Sequence, residues 1–186
     1  MRTLLLVLAL LTPTAASAQE PFKPTVGQQG KDSVWVPTSP ELVEKMLDLA
    51  KVTKEDFLID LGSGDGRMVI AAAKRGARAL GVEFNPEMVK LSQQLAAEAG
   101  VSDRATFVQG DMFEADISKA TVLALFLLPD NLMRLEPKFR ALRPGTRIVV
   151  NTFGIPNWTP DATEVLTENC TSWCTAMLYK IPPQAK

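Results

Sequence analysis

From position 41 to position 181 the apolar residues change their spacing repeatedly, and each change marks an element. Leu42, Val43, Met46, Leu47 and Ala50 recur at the helical period, and Ser39-Pro40 ahead of them supplies a capping hydroxyl and a first-turn proline. The spacing predicts a helix over 41–50. Short apolar runs then predict strands at 57–61, 79–83 and 106–109, separated by helical patterns at 67–75 and 86–99. Residues 121–127 are almost continuously apolar, which suits a central strand covered on both faces. A helix over 131–142, a turn at Pro144-Gly145 and a strand over 147–152 follow. The runs 163–168 and 175–181 flank NCTSWC and read as a terminal hairpin. Strand and helix in alternation predict an α/β fold: a doubly wound, mostly parallel seven-stranded sheet with a C-terminal antiparallel hairpin.

The ends of the chain differ from this middle. Arg2, the apolar stretch from Leu4 to Leu11 and the small residues Ala16-Ser17-Ala18 have the layout of an export signal. The expectation is a signal peptide over 1–18 and a periplasmic or secreted protein. The stretch is short for a bilayer span, and an uncleaved membrane anchor is the alternative. Residues 19–40 hold Pro21, Pro24, Pro37 and Pro40 with Gly27 and Gly30, and read as an extended arm. The remaining 41–186 form one domain, expected to be monomeric.

Composition narrows the chemistry. The 186 residues include no histidine, which excludes imidazole bases, histidine-ligated zinc and serine–histidine triads. No metal site is expected. Twenty basic and 21 acidic residues leave a net charge of -1, and no basic run offers a nucleic-acid surface. Cys170 and Cys174 read as a disulfide in an oxidising compartment, with two unpaired buried thiols as the alternative.

The chemistry concentrates at strand ends. In LIDLGSGDG the strand 57–61 runs into Gly62, Ser63, Gly64 and Gly66 before a helix begins. Glycines there let backbone approach a ligand, and the helix start presents free N–H groups. The spacing G-x-G-x-G, with Arg67 in place of the last glycine of a dinucleotide fingerprint, tells against pyrophosphate. Asp60 suits a cationic amino group. The next strand ends at Glu83-Phe84, placed to accept ribose hydroxyls. The third ends in Asp111-Met112, a carboxylate beside an apolar contact for a base. Three carboxylates at three successive strand ends are a stronger signal than the glycine loop alone.

DLGSGDG, GVEFNP and QGDMF resemble successive motifs of class I S-adenosylmethionine-dependent methyltransferases, over most of the chain from Val36 onward. WVPTSPELVEKML, DISKATVLALFLLPDNLMRLEPKF and LRPGTRIVVNTFGIPNWTP are similar to the protein-lysine methyltransferases of the ATP synthase c-subunit and their bacterial relatives. The resemblance implies a Rossmann-like methyltransferase fold, S-adenosylmethionine as cofactor and a protein lysine as acceptor. By it, Asp60 and Gly62 hold the methionine moiety, Glu83 the ribose, and Asp111 with Met112 the adenine. Leu127, Leu128 and Pro129 follow the fourth strand, where this fold places the acceptor, and Leu128 and Pro129 are the expected catalytic positions. FLLPDN lacks the Asn/Asp-Pro-Pro-aromatic pattern of nucleobase amino methylation. Trp35, Pro37 and Thr38 would cover the cofactor or line an acceptor channel; Trp158 would be acceptor wall or core plug. A signal sequence in place of a membrane-targeting segment departs from the family.

Methyl transfer from a sulfonium requires alignment and exclusion of water, and an apolar channel favours the neutral lysine amine. Backbone carbonyls around Phe126–Leu128 would orient it. A small amine as acceptor, polyamine-synthase-like chemistry and an exported, non-catalytic binder of S-adenosylmethionine or a related nucleoside are the competing readings.

Overall fold

The computed structural model describes residues 22–168 and 170–183. The export segment expected at 1–18 lies outside them. Eleven elements follow the arm: α1 (Pro40–Leu49), β1 (Phe57–Leu61), α2 (Arg67–Lys74), β2 (Arg78–Glu83), α3 (Pro86–Glu98), β3 (Ala105–Gln109), β4 (Val122–Leu125), α4 (Pro129–Arg140), β5 (Arg147–Asn151), β6 (Ala162–Val165) and β7 (Thr175–Lys180). The strands form a single seven-stranded sheet in the order β3-β2-β1-β4-β5-β7-β6. The first five run parallel, and β7 joins β5 and β6 antiparallel, as the alternation and the terminal hairpin require.

Local chemistry sets the helix starts. Ser39 accepts from the Leu42 N–H at 3.2 Å and Pro40 opens α1; Asn85 accepts from the Glu87 N–H at 2.9 Å and Pro86 opens α3. Strand alternation sorts the core onto two faces. Leu58, Val122, Ala124, Val149 and Leu178 pack under α1, α2 and α3. Ile59, Leu61, Leu123, Leu125, Val150 and Tyr179 form the opposite cluster with Leu132, Leu135 and Phe139 of α4. No helix joins β3 to β4; Met112, Ile117 and Ala120 of that connection pack on the α4 side instead.

Boundaries depart from expectation at β6, which stops at Val165 rather than 168, and around β4 and α4. The fourth strand stops at Leu125, not 127, and α4 begins at Pro129 with Leu128 as its N-cap. Proline fits a first helical turn because its missing N–H would be unpaired there. This frees Phe126, Leu127 and Leu128 from the ladder, at the point between β1 and β4 where strand order reverses. Crevices of doubly wound sheets form at such points.

The buried Asp56, just before β1, fastens the opposite end of the sheet. It accepts from the Thr53 N–H at 2.8 Å, the Thr121 hydroxyl at 2.7 Å and the Arg147 guanidinium. Arg147 also donates to the Ala50 carbonyl at 2.6 Å, tying α1 to β1 and β5. Burial raises the Asp56 pKa, but the Thr53, Thr121 and Arg147 contacts outweigh it and hold the carboxyl below its ordinary range.

Candidate active site

The ends of β1, β2, β3 and β4 open into one pocket, roofed by residues 28–38 of the arm. Asp60 lies at its floor, only 7% exposed, and its carboxyl makes no hydrogen bond or ion pair among the described residues. Burial, and then the nearby Glu83 and Asp65 charges, push its pKa up to about 8. Such a group gains from a cationic partner. The Ser63 hydroxyl, packed over Gly81 of β2, is buried with no partner among the described residues.

Glu83 is held from both sides: Oε2 accepts from the Gly64 N–H at 2.9 Å and Oε1 from the Asn85 N–H at 2.8 Å. Each oxygen keeps a lone pair for a ligand hydroxyl. Asp111 accepts from the Phe113 N–H at 2.9 Å and pairs with Lys31 of the arm. The Lys31 contact, then the Phe113 N–H, hold its carboxyl below the usual range. Phe84 and the buried Met112 supply apolar surface nearby, and the Lys31 ammonium stands 5.1 Å from the Phe84 ring centroid.

The roof is built by local pairing. Gln29 and Val34 form an isolated antiparallel bridge, and Gly27 N–H and Trp35 carbonyl meet at 2.8 Å. Arg67 donates to the Thr38 carbonyl at 2.6 Å while gripping Asp65, and Asn151 donates to the Thr38 hydroxyl at 3.1 Å. Asn131 at the start of α4 donates to the Asp32 carbonyl at 3.0 Å. Trp35 lies against the glycine loop: a Cβ at Gly64, whose φ is +56°, would stand 2.6 Å from the indole nitrogen. Glycine is required there on both counts.

A second, smaller pocket adjoins the first and shares Ser33, Val34, Val36, Phe126 and Leu127 with it. Leu128, Phe153 and Trp173 complete its lining. No lining residue carries a charge. The three rings Phe126, Phe153 and Trp173 stand with centroids 5.4 to 6.3 Å apart.

Residues 60–162 match the ANTKMT methyltransferase domain family. The chain belongs to this family. A protein-lysine N-methyltransferase of Saccharolobus islandicus is 44% identical over 129 residues, 68% of this chain and 80% of that protein. The human lysine N-methyltransferase of the ATP synthase c-subunit is 34% identical over 167 residues, 81% of this chain and 70% of the relative. An RNA methyltransferase from Salinibacter ruber, solved in complex with S-adenosyl-L-homocysteine, is 45% identical with a TM-score of 0.75. That match covers 81% of this chain and 97% of that one.

An ANTKMT-family pocket must suit S-adenosylmethionine, and this one does. The unpaired Asp60 carboxyl fits the amino group of a methionine moiety, and the orphan Ser63 hydroxyl needs a polar partner. Glu83 has acceptor capacity for ribose hydroxyls, and Phe84 and Met112 offer apolar surface for adenine.

Most of the residues singled out from sequence meet here. Asp60, Gly62, Ser63, Gly64, Glu83, Phe84, Asp111 and Met112 line the main pocket. Gly66 does not. At φ +79°, a Cβ on it would stand 2.5 Å from the Phe107 ring, so its glycine serves packing against β3. Trp35, Pro37 and Thr38, expected to cover the cofactor or line an acceptor channel, line the main pocket and not the smaller one. Leu128 reaches the smaller pocket, whereas Pro129 is exposed at the start of α4 and lines neither. Trp158 also lines neither. It packs edge-on against Tyr179 at 5.6 Å, with the Arg140 guanidinium 3.7 Å above its ring, so it is core and not acceptor wall. Lys31, Phe153 and Trp173 went unmarked in sequence as site residues, because a side chain in a loop carries no periodic signal, and of Phe126 only the backbone carbonyl was singled out. The turn around NCTSWC was the one cue to Trp173.

Proposed function

We propose that this protein is an S-adenosylmethionine-dependent methyltransferase that N-methylates a lysine side chain of a protein. The observation that carries the reading is the uncharged aromatic pocket joined to the cofactor pocket through Phe126 and Leu127. A lysine stem is a four-carbon chain, and rings and aliphatic side chains match it. The names of the Saccharolobus and human relatives agree with a lysine acceptor. The Salinibacter structure is named for RNA, but a nucleic-acid acceptor calls for cationic side chains around the opening, and none of the smaller pocket's lining residues is cationic.

The cofactor supplies an electrophilic methyl group on a sulfonium. The protein's part is to position and to dry. Asp60 anchors the amino group of the methionine moiety, Glu83 the ribose, and the arm residues Trp35 to Thr38 close over the loop and exclude water. The apolar surroundings of the second pocket favour the neutral amine, so the acceptor proton leaves to solvent before transfer, and no histidine is needed. Phe126 and Leu127, between the two pockets, set the line of approach.

Export is part of the same proposal. The 1–18 segment is its basis, and the Cys170–Cys174 disulfide supports an oxidising compartment.

The test is transfer of tritiated methyl from S-adenosylmethionine to a protein extract, followed by acid hydrolysis. Label recovered as methylated lysine supports the proposal. Label confined to RNA, or none despite bound S-adenosylhomocysteine, sinks it.

A further inference from the structure

The segment that closes the smaller pocket is built in an unusual way. Cys170 and Cys174 are joined across a loop of five residues, and Trp173 sits inside that loop with φ of +59°. A bulky side chain is uncommon in left-handed backbone, and where it occurs the surroundings must impose it. Here residue 173 lies in the short ring that the disulfide closes. Phe153 is set by similar means: Thr152 just before it has φ of +60° and its N–H bonds the Thr175 carbonyl at 2.7 Å. The two rings meet at 5.4 Å, and Phe126 closes the group from the end of β4, 5.9 Å from Trp173. Yet Trp173 remains 41% exposed and Leu128 43%, far from the burial of core side chains. Core packing therefore does not explain the held conformation.

We propose that Trp173, fixed by the Cys170–Cys174 disulfide, is a specificity-determining residue that completes an aromatic collar around the acceptor side chain. The inference rests on the lysine-methyltransferase reading. The collar offers ring faces to the aliphatic stem and, through their negative quadrupoles, to the methylated ammonium that the transfer produces. The cysteines are positioning residues, which act only through Trp173. Two electrons and two protons from a dithiol would convert the disulfide into two thiols, the dithiol closing to its own disulfide, and the collar would slacken.

The experiment uses the full mature protein labelled with 5-fluorotryptophan, whose three tryptophans give three fluorine resonances. Trp173→Phe identifies the resonance of interest. With S-adenosylhomocysteine bound, Nα-acetyl-lysine methylamide is titrated in as the probe. The Trp173 resonance is expected to shift saturably while that of Trp158 stays. In the Cys170→Ser/Cys174→Ser variant, or after dithiol reduction, the shift should need roughly tenfold more probe. Turnover should divide the same way: acceptor KM up about tenfold, kcat and S-adenosylhomocysteine affinity little changed, and Trp173→Phe restoring most of what Trp173→Ala loses. A stationary Trp173 resonance, or a wild-type KM in the cysteine variant, overturns the collar. If the resonance moves but no lysine is ever methylated, the collar stands and the transferase reading fails.

Discussion

Lys31 of the arm is ion-paired with Asp111 at the end of β3, 80 positions along the chain. The pair pins the roof to the rim of the cofactor pocket. It also occupies a carboxylate expected to face adenine, so cofactor capture and roof closure involve one group. Lys31→Ala should therefore speed both entry and release of S-adenosylhomocysteine. The pair is solvent-exposed, so each rate should rise only by roughly threefold, and the effect should fade with salt. Stopped-flow fluorescence measures both rates; an unchanged release rate would show that the roof is held elsewhere.

Asp60 makes binding pH-dependent. Its folded pKa of about 8 is above the ordinary carboxyl value, so the empty pocket holds a proton at pH 7. A cationic amino group stabilises the carboxylate, so binding must expel that proton. Affinity should rise with pH up to about 8 and then level, and calorimetry in buffers of different ionisation enthalpy should show a released proton at pH 7. The same sign governs the empty protein: with the folded pKa raised, this group weakens the fold as pH climbs from about 4 to 8. Asp60→Asn should remove both pH effects and weaken binding by about 1.5–3 kcal/mol. Binding without proton release would contradict the assignment.

Gly66 and Gly64 should separate packing from binding. Gly66→Ala drives a methyl into the Phe107 ring from left-handed backbone and should cost about 1–3 kcal/mol in a urea melt. The rise in Tm caused by saturating S-adenosylhomocysteine should survive. Gly64→Ala pushes against Trp35 and should reduce that rise instead. Equal behaviour of the two variants would mean that Gly66 faces the cofactor after all.

Asp56 should be a stability residue with no part in turnover. Asp56→Ala leaves the Arg147 guanidinium without its buried partner and should cost about 3–5 kcal/mol. Because the folded carboxyl pKa is depressed, the wild-type contribution is complete above about pH 4 and is lost as pH falls through the folded value. Denaturant melts at pH 7 and pH 3 should show the gap between wild type and variant narrowing in acid.

Sheet and cofactor side were legible in the sequence for a physical reason. Parallel strands buried on both faces read as apolar runs, and their ends must carry the polar residues that Asp60, Glu83 and Asp111 supply. The smaller pocket was legible only at Leu127 and Leu128. Phe153 and Trp173 reach the pocket from irregular backbone, where no period marks which way a side chain points. Gly66 misled because its motif position is that of a ligand-facing glycine, while the neighbour that forbids a Cβ, Phe107, is 41 residues away. Trp158 stayed open in the sequence because a tryptophan between prolines fits a pocket wall as well as a core, and only Tyr179 and Arg140 decide it.

Phe126 and Leu127 mark a division of labour along the chain. Every residue lining the cofactor pocket occurs at or before Leu127, while Phe153 and Trp173 of the smaller pocket come after β5. Ser33, Val34, Val36, Phe126 and Leu127 serve both pockets, and only Phe153 and Trp173 of the smaller one come from the C-terminal stretch. Changes confined to Phe153 and Trp173 can therefore reshape the smaller pocket while every residue that lines the cofactor pocket is inherited intact.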